Sequence, residues 1–521
     1  MAKVRNILFI MCDQFRADHL GCAGHPTLKT PRLDALAARG VRFERAYANA
    51  TVCGPSRMSF YTGRTVASHG ASWNRVPLSI AERTIGDYLR PSGLEASLLG
   101  KTHVMPDIEG LARFGIEGGS ALDALLRAGG FVSLDRYDGH SKPGTESGYP
   151  AYLRAQGYGG DDPWNEWVIS VDTPEGPRSG WQMRHVRSPS RVREEHSETA
   201  YMTDRAIRFV EDKGERPWFL HLSYVKPHWP YVAPAPYHAL YGPNEVLPTN
   251  RHPREFENAH PVLAAYRKQE ECANFARDEV VATVRPAYMG LIAQLDHHLG
   301  RLIDVMQKLG RLDDTLIVFT SDHGDFLGDH WLGEKEQFFE EAVRLPLIVV
   351  DPDRSADATR GRVENRFVEA IDLVPTFLDA LGLEKPAHLL EGRSLMPLMR
   401  GGSKIEPWRD AVFSELDYSY REARRILGRE PGDCRAVMVR TERWKYVHWT
   451  GFRPQLFDLA EDPRELDDRG EDSALESVRR EMRERLLAWY GGLKFRTTVS
   501  NDEVKAKTAA HKAHGVRFGE W

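Results

Sequence analysis

Short, unbroken apolar runs recur along the chain, and each ends abruptly in polar residues. They are VRNILFIMC (4–12), EASLLG (95–100), PWFLHLSYV (217–225), TLIVFT (315–320) and PLIVV (346–350). A continuous apolar run of this length reads as a strand buried on both faces. Between the runs the spacing becomes helical. TPRLDALAARG (30–40) places Thr30 as N-cap, Pro31 in the first turn and Gly40 just past the end. The stretch 197–214 opens on Ser197 as a cap, and 286–310 repeats apolar residues every three or four positions. Strands alternating with helices predict an α/β protein with a large, mostly parallel sheet sandwiched by helices.

Two stretches break this rhythm. Residues 132–195 and 241–280 are rich in Gly, Pro, Ser and charge, and read as insertions over the top of the sheet. After about residue 395 the pattern shortens. DAVFSELD (410–417), the run 435–450 and PQLFDL (454–459) read as antiparallel strands, and 476–493 as a charged amphipathic helix. The expected organisation is therefore a catalytic α/β domain over 1–395 and a smaller α+β subdomain with a short antiparallel sheet over 396–493. A polar tail follows over 494–521, ending in Phe518 and Trp521. The tail is expected to be loose or pinned to a neighbouring subunit, in a homo-oligomer such as a dimer or tetramer.

Composition narrows the function classes. The 521 residues are 41% hydrophobic and 28% charged, with a formal net charge of -5. That is an ordinary soluble mixture and argues against a nucleic-acid binder. Cys12, Cys22, Cys53, Cys272 and Cys434 are scattered with no C-x-x-C pair, so neither a disulfide framework nor a zinc knuckle is signalled. The start, MAKVRNILFIMCDQ, lacks a signal-peptide pattern, and no apolar stretch is long enough to span a bilayer. A cytoplasmic protein with reduced thiols and no membrane partner is expected.

The chemistry lies where the strands end. In open parallel sheets ligands bind beyond the carboxyl ends of the strands. The first run leads into Asp13-Gln14, the second into Lys101 and His103, the third into Lys226-Pro227-His228, and the fourth into Ser321-Asp322-His323-Gly324. Taken singly, each has an ordinary alternative: a turn aspartate, a hydrogen-bonded histidine, a solvated lysine. Their coincidence at one set of strand ends weakens those alternatives. Asp13, Asp322, His323 and the Gln14 carbonyl form a candidate divalent-metal cluster, with oxygen donors suiting Ca²⁺ or Mg²⁺ and the imidazole favouring Mn²⁺. Arg57, Lys101, His103, His228 and Lys335 would surround it with positive charge, suited to a small tetrahedral oxyanion.

Cys53 itself admits three readings. It is a small buried apolar residue, or a thiolate activated by Arg57 and a helix N-terminus, or the precursor of another group. Cys53-Gly54-Pro55-Ser56-Arg57 followed by Thr62-Gly63 resembles the signature of the sulfatase family. Asp13, G-K-T-H, P-H-W-P and S-D-H-G, in that order and after strands, extend the resemblance over most of the chain, and WKYVHW…QLFDLAEDPREL carries it into the C-terminal piece.

The resemblance implies an alkaline-phosphatase-like fold and a hydrolase whose cysteine is oxidised to formylglycine by a maturation enzyme. It implies that Asp13, Gln14, Asp322, His323 and the modified Cys53 hold one Ca²⁺ or Mn²⁺. One hydroxyl of the hydrated aldehyde attacks the ester, and the other later expels sulfate. Arg57 eases ionisation of the diol, Lys101 contacts its oxygens or those of sulfate, and His103 assists the expulsion. His228 and Lys335 bind the oxyanion and protonate the leaving oxygen. Gln14 and His323 stand where many sulfatases have Asp and Asn. This pattern belongs to the branch with choline sulfatases and phosphonate monoester hydrolases, whereas Lys101 and His103 resemble the sulfate-cleaving members. The implied activity is hydrolysis of aryl or small alkyl sulfate esters, with side activity on phosphonate monoesters and phosphodiesters. The alternative is a phosphonate monoester hydrolase or phosphodiesterase built on the same site.

Overall fold

The first apolar run becomes β1 (Asn6–Asp13), buried along its whole length. The computed structural model describes residues 4–139, 147–401, 407–517 and 519. Around β1 an eight-stranded sheet forms with β2 (Val41–Phe43), β3 (Ala96–Gly100), β4 (Val132–Arg136), β5 (Phe219–Pro227), β6 (Thr315–Ser321), β7 (Leu347–Val350) and β8 (Arg362–Glu364). The order across the sheet is β8-β2-β7-β6-β1-β5-β3-β4. β1 runs parallel to β5 and β6, and β3 runs parallel to β5 and β4. The carboxyl ends of β6, β1, β5 and β3 therefore lie side by side.

Alternation along β1 divides the core. Leu8, Ile10 and Cys12 pack on one face, with apolar residues of α1 (Pro31–Arg39), α3 (Glu198–Lys213) and α4 (Asp278–Lys308). Ile7, Phe9 and Met11 pack on the other, with α2 (Cys53–Thr62) and α5 (Leu373–Ala380). Fully burying each such side chain contributes about 1.5–3 kcal/mol. Helices on both faces thus fix the strand at the middle of a three-layer α/β architecture.

Several local expectations change in the structure. The run at 346–350 does form a strand, but β7 is antiparallel to both β6 and β2. Between β6 and β7 lie only the 3-10 turn Asp329–Trp331, the short helix Glu340–Val343 and the two-residue strand Arg344–Leu345, so no crossover helix carries the chain back for parallel pairing. Thr30 sits at the N-cap of α1 but does not cap it: its hydroxyl lies 2.9 Å from Asp34 Oδ1 and accepts from Gly21 N at 2.8 Å. Ser197 does cap α3, accepting from Ala200 N at 3.2 Å. The helix expected from 286 begins at Asp278 and runs through Pro286, because burial of its apolar face outweighs the missing backbone donor. The 132–195 segment is not wholly an excursion. Its first residues, V-S-L-D-R, form the edge strand β4, and Tyr149, Leu153, Ile169 and Val171 join the main core. An edge strand has one open side and needs no continuous apolar run. The 241–280 segment carries the helices Pro261–Tyr266 and Glu270–Phe275 before α4 begins.

Beyond the large sheet, β9 (Ala411–Asp417), β10 (Arg435–Thr441), β11 (Trp444–Trp449) and β12 (Gln455–Asp458) pair antiparallel in chain order. Met482 and Leu486 of α6 (Glu476–Gly491) pack on Val439, Tyr446 and Leu456 of that sheet. The tail is tied to its own chain at Lys494, whose carbonyl accepts from Arg64 at 2.8 Å and whose amide donates to Glu391 at 2.8 Å. Phe518 and Trp521 lie outside the described residues. Among the described residues no helix is long and apolar enough to cross a membrane.

The chain after β6 is held over the strand ends by a buried charged cluster. His330 Nδ1 lies 2.9 Å from Glu255, and its Nε2 lies 3.5 Å from Glu341. Burial works to lower its pKa, but Glu341 and Glu255 raise it to about 10. The folded-state value lies above the ordinary one near 6.5, so this stabilisation is complete below that pH and is lost as pH rises toward 10. His330→Gln is therefore expected to lower the thermal midpoint at pH 7, with the gap to wild type narrowing by pH 10. A gap that stays constant over that range refutes the charged histidine.

Candidate active site

Four adjacent strand ends and one helix build the site. Asp13 ends β1, Lys101 follows β3, His228 follows β5, and Asp322-His323 follow β6. Gly100 makes the turn after β3 possible. Its φ is 96°, and a Cβ there would come within 1.9 Å of the Ser223 carbonyl on β5.

Cys53 is the first residue of α2 and is 1% exposed. The motif around it is structural in every part. Gly54 N donates to Asn74 Oδ1 at 2.7 Å, and Ser56 Oγ donates to the Asp322 carbonyl at 2.6 Å. Arg57 Nε donates to Asp322 Oδ2 at 2.8 Å, and its Nη2 to Asp13 Oδ2 at 3.2 Å. Its Nη1 reaches the Lys101 carbonyl at 2.9 Å and Ser223 Oγ at 2.8 Å. The hydroxyl of Thr62 bonds back to Met58 O at 2.8 Å, and Gly63 closes the helix at φ 69°.

Asp13, Cys53, Asp322 and His323 each present a donor atom within 4.8 Å of the others, all buried. Cys53 Sγ lies 3.1 Å from His323 Nε2 and 3.7 Å from Asp13 Oδ1. His323 Nδ1 lies 2.8 Å from the Gly324 carbonyl, which can only accept. The proton therefore sits on Nδ1, and the Nε2 lone pair faces the cluster, the tautomer a metal ligand requires. Burial lowers the pKa of this ring against the pull of Asp322. Each aspartate commits Oδ2 to Arg57. Oδ1 of Asp13 faces the cluster, and Oδ1 of Asp322 accepts from the Gln14 and His323 amides at 3.1 and 3.0 Å. Two carboxylates, a lone-pair imidazole and the side chain at position 53 fit one divalent cation.

The thiol is poorly placed to act as a thiolate among these groups. Burial, then Asp13, push it up to about 12. Arg57, expected to activate it, is spent on the two aspartates. Asp13 stays ionised: burial works to raise its carboxyl, but Lys101 foremost, with its Nζ at 2.5 Å, holds it well below the usual range.

A second group of side chains faces the cluster. Lys335 Nζ lies 3.0 Å from Gln14 Oε1 and 3.2 Å from His228 Nε2. His228 Nδ1 contacts the Trp229 carbonyl at 2.7 Å, so its Nε2 accepts from Lys335. Burial and then Lys335 push His228 well below its ordinary pKa, keeping it neutral. His103 is lowered in the same way by burial and Lys101, and its buried Nδ1 has no hydrogen-bond partner among the described residues. Gln14 and His103 both have left-handed backbones, with φ of 66° and 56°.

The strand-end residues are thus brought together with one exception. Lys226 turns away to Glu198 at 3.2 Å and the Pro230 carbonyl at 2.9 Å. Three residues had no part in the sequence reading. Asp325 accepts from Gln14 Nε2 at 2.6 Å and Tyr231 OH at 2.7 Å, and burial raises it to about 6. Its place two residues beyond His323 was a legible signal, whereas Asn74 and Ser223 carried none.

Comparisons with known proteins identify the family and the fold. The Sulfatase family matches residues 5–111 and 123–383, and the C-terminal unit of N-sulphoglucosamine sulphohydrolase matches 328–490. The multifunctional alkaline phosphatase superfamily protein PehA of Trinickia caryophylli is 34% identical over 93% of this chain and 95% of its own. An arylsulfatase of Clostridium perfringens is 28% identical over 88% of this chain and 89% of its own. The phosphonate monoester hydrolase of Agrobacterium radiobacter superposes with a TM-score of 0.81 at 32% identity, covering 94% of this chain and 95% of that one. With the matched family spanning more than half of its length and the strand ends carrying the expected groups, the chain belongs to the sulfatase family, whose members here hydrolyse sulfate and phosphonate esters.

Proposed function

We propose that this protein hydrolyses esters of singly charged tetrahedral acids, with aryl or small alkyl sulfates as primary substrates. Phosphonate monoesters and phosphodiesters would follow in the same site. The observation that carries this reading is the convergence of Asp13, Asp322 and His323 on the side chain of Cys53. A Ca²⁺ or Mn²⁺ held by these groups, with Gln14 beside them, would supply Lewis acidity. Formylglycine made from Cys53 by a maturation enzyme would supply a hydrated aldehyde with one hydroxyl for attack and one for release.

The chain's own residues divide the remaining work. Arg57 positions both aspartates and does not need to touch substrate, since four of its five N–H donors are already engaged. Lys101 binds an acid oxygen and balances Asp13. His103, neutral with a buried unpartnered nitrogen, accepts the proton when the acid is expelled. Lys335 carries the proton for the leaving oxygen, and His228 orients it by accepting from its ammonium. Lys101, Lys335 and Arg57 against Asp13 and Asp322 leave one net positive charge, suited to one negative charge on the transferred group rather than two.

Similarity to the phosphonate monoester hydrolase structure favours a second reading in which phosphonate is the primary group. The ratio of kcat/KM for 4-nitrophenyl sulfate and 4-nitrophenyl phenylphosphonate decides between them. An excess for sulfate is expected, and a large excess for phosphonate transfers the assignment.

Three further outcomes are expected. The peptide containing Cys53 from active protein has the mass of the aldehyde, and Cys53→Ala lowers kcat/KM by at least ~10³-fold. Unmodified thiol at full occupancy in active enzyme contradicts the nucleophile. Asp322→Ala loses the bound divalent metal by elemental analysis, and undiminished content removes Asp322 as a ligand. Lys335→Met lowers kcat/KM about 10²-fold or more for alkyl esters and much less for 4-nitrophenyl esters. Equal losses across the leaving-group series argue against proton donation by Lys335.

A further inference from the structure

The loop that delivers Lys335 to the site is short and strained. It lies between the 3-10 turn Asp329–Trp331 and the helix Glu340–Val343. Glu334 and Glu336, on either side of the lysine, both hold left-handed backbones, with φ of 61° and 88°. Neither is glycine, so this conformation persists only where the surroundings impose it. The two contacts of the Lys335 ammonium, 3.0 Å to Gln14 Oε1 and 3.2 Å to His228 Nε2, therefore depend on a backbone that the local sequence does not favour.

The restraints on this loop come from two directions. Ahead of the lysine, the Glu334 carbonyl accepts from Phe326 N at 2.7 Å, and Gly333 N donates to Cys272 Sγ at 3.5 Å. Gly333 fits there because it has no side chain: a Cβ would stand 2.5 Å from the Phe275 ring and 2.8 Å from the Glu271 carbonyl. Behind the lysine, the restraints come from the small antiparallel sheet and its connections. Arg421, between β9 and β10, forms an ion pair with Glu336 at 2.7 Å and a second with Glu271. Lys445 of β11 donates to the Phe338 carbonyl at 2.8 Å.

The Arg421–Glu336 pair bears directly on the lysine. Glu336 is 3% exposed, and a buried carboxylate needs a cation. Two are at hand, Arg421 and the adjacent Lys335. Burial raises the Glu336 pKa to about 7, and Arg421 opposes that rise more strongly than Lys335 does. With its charge taken up by the guanidinium, Glu336 leaves the Lys335 ammonium to His228, Gln14 and the substrate. Arg421 itself makes no hydrogen bond or ion pair with the strand-end groups among the described residues. We propose that Arg421 is a positioning residue for Lys335: by holding Glu336 from the small sheet, it fixes the turn that presents the lysine to the leaving oxygen. The inference rests on the reading of Lys335 as proton donor given above.

The test keeps the two claims apart. kcat/KM is measured for butyl sulfate and 4-nitrophenyl sulfate with Arg421→Met, Lys335→Met and the double variant, at about pH 8.5, where Glu336 is ionised. Arg421→Met is expected to lose about tenfold or more on the alkyl ester and about threefold or less on 4-nitrophenyl sulfate. Added to Lys335→Met, it is expected to cost about twofold or less on either ester, because the residue it acts through is already gone. Glu336→Gln breaks the same ion pair with an isosteric amide, is expected to reproduce the pattern, and carries the test if Arg421→Met does not fold. Crystal structures of both variants read the placement without turnover: Lys335 Nζ is expected beyond hydrogen-bond distance of His228 Nε2 and Gln14 Oε1. The inference is overturned by no loss in either variant, by equal losses on both esters where those of Lys335→Met differ, by losses that multiply with that of Lys335→Met, or by a lysine unmoved in both structures. Equal losses on the two esters for Lys335→Met itself, or no cleavage of either by wild type, removes the proton donor instead, and the structures alone then decide the placement.

Discussion

One buried guanidinium organises this molecule. Arg57 is inaccessible to solvent and binds groups belonging to all four strands that meet at the site: Asp13 from β1, Ser223 from β5, the Lys101 carbonyl after β3, and Asp322 after β6. A guanidinium removed from water needs every donor satisfied and its charge balanced. Two carboxylates balance the charge and, with the Lys101 carbonyl and the Ser223 hydroxyl, take up its donors; removing one partner of such a buried pair costs about 3–5 kcal/mol. The same bonds set the rotation of α2 about its axis, and hence the direction in which Cys53 faces. Position 53 and its aspartates are therefore one mechanical unit, in which the helix bearing Cys53 is anchored by the groups that surround it.

Around that unit the backbone is forced at several positions, two of them in residues that face the cluster. Gln14 and His103 sit in the left-handed region, where a side chain costs roughly 1–3 kcal/mol. Hydrogen bonds hold both. Gln14 is fixed at its amide by Asp322, at its carbonyl by Tyr288, and at its side chain by Asp325 and Lys335. The His103 amide and that of Thr102 share one oxygen of Asp138. Asp325 and Asp138 thus act one layer out, setting the angle of residues that face the reacting centre. Beyond this layer lies a cavity whose walls include Trp181, Trp229, Tyr231 and Phe275.

The sequence was legible where burial is symmetric. β1, β5 and β6 are covered on both faces, so each appears as an apolar run whose end marks the polar residues of the site. Asp13, Lys101, His228, Asp322 and His323 were readable for that reason. β4 was not, because at the edge of the sheet its residues are mostly part-exposed and polar. Lys226 and Lys101 look alike on paper, both following a strand. Only the position of Glu198 on α3 shows that the first completes a structural ion pair. Pro286 hid the first turns of α4, since tertiary packing overrides a local penalty that the sequence displays openly. The cavity lined by Trp181, Trp229, Phe275 and Glu334 was unreadable, as these residues are brought together from four distant segments.

The near-complete burial of Cys53 has a consequence for timing during synthesis. Its enclosing wall comes from the far end of the chain, since His323 lies 270 residues downstream. At ribosomal speeds of about 5–20 residues per second, roughly 10–60 s pass between the emergence of the cysteine and that of its lid. During that interval the thiol lies on an unclosed chain, open to any protein that must reach it. Once β6 docks beside β1, the window shuts, and the modification that the proposed reaction calls for at position 53 would then need an unfolded molecule.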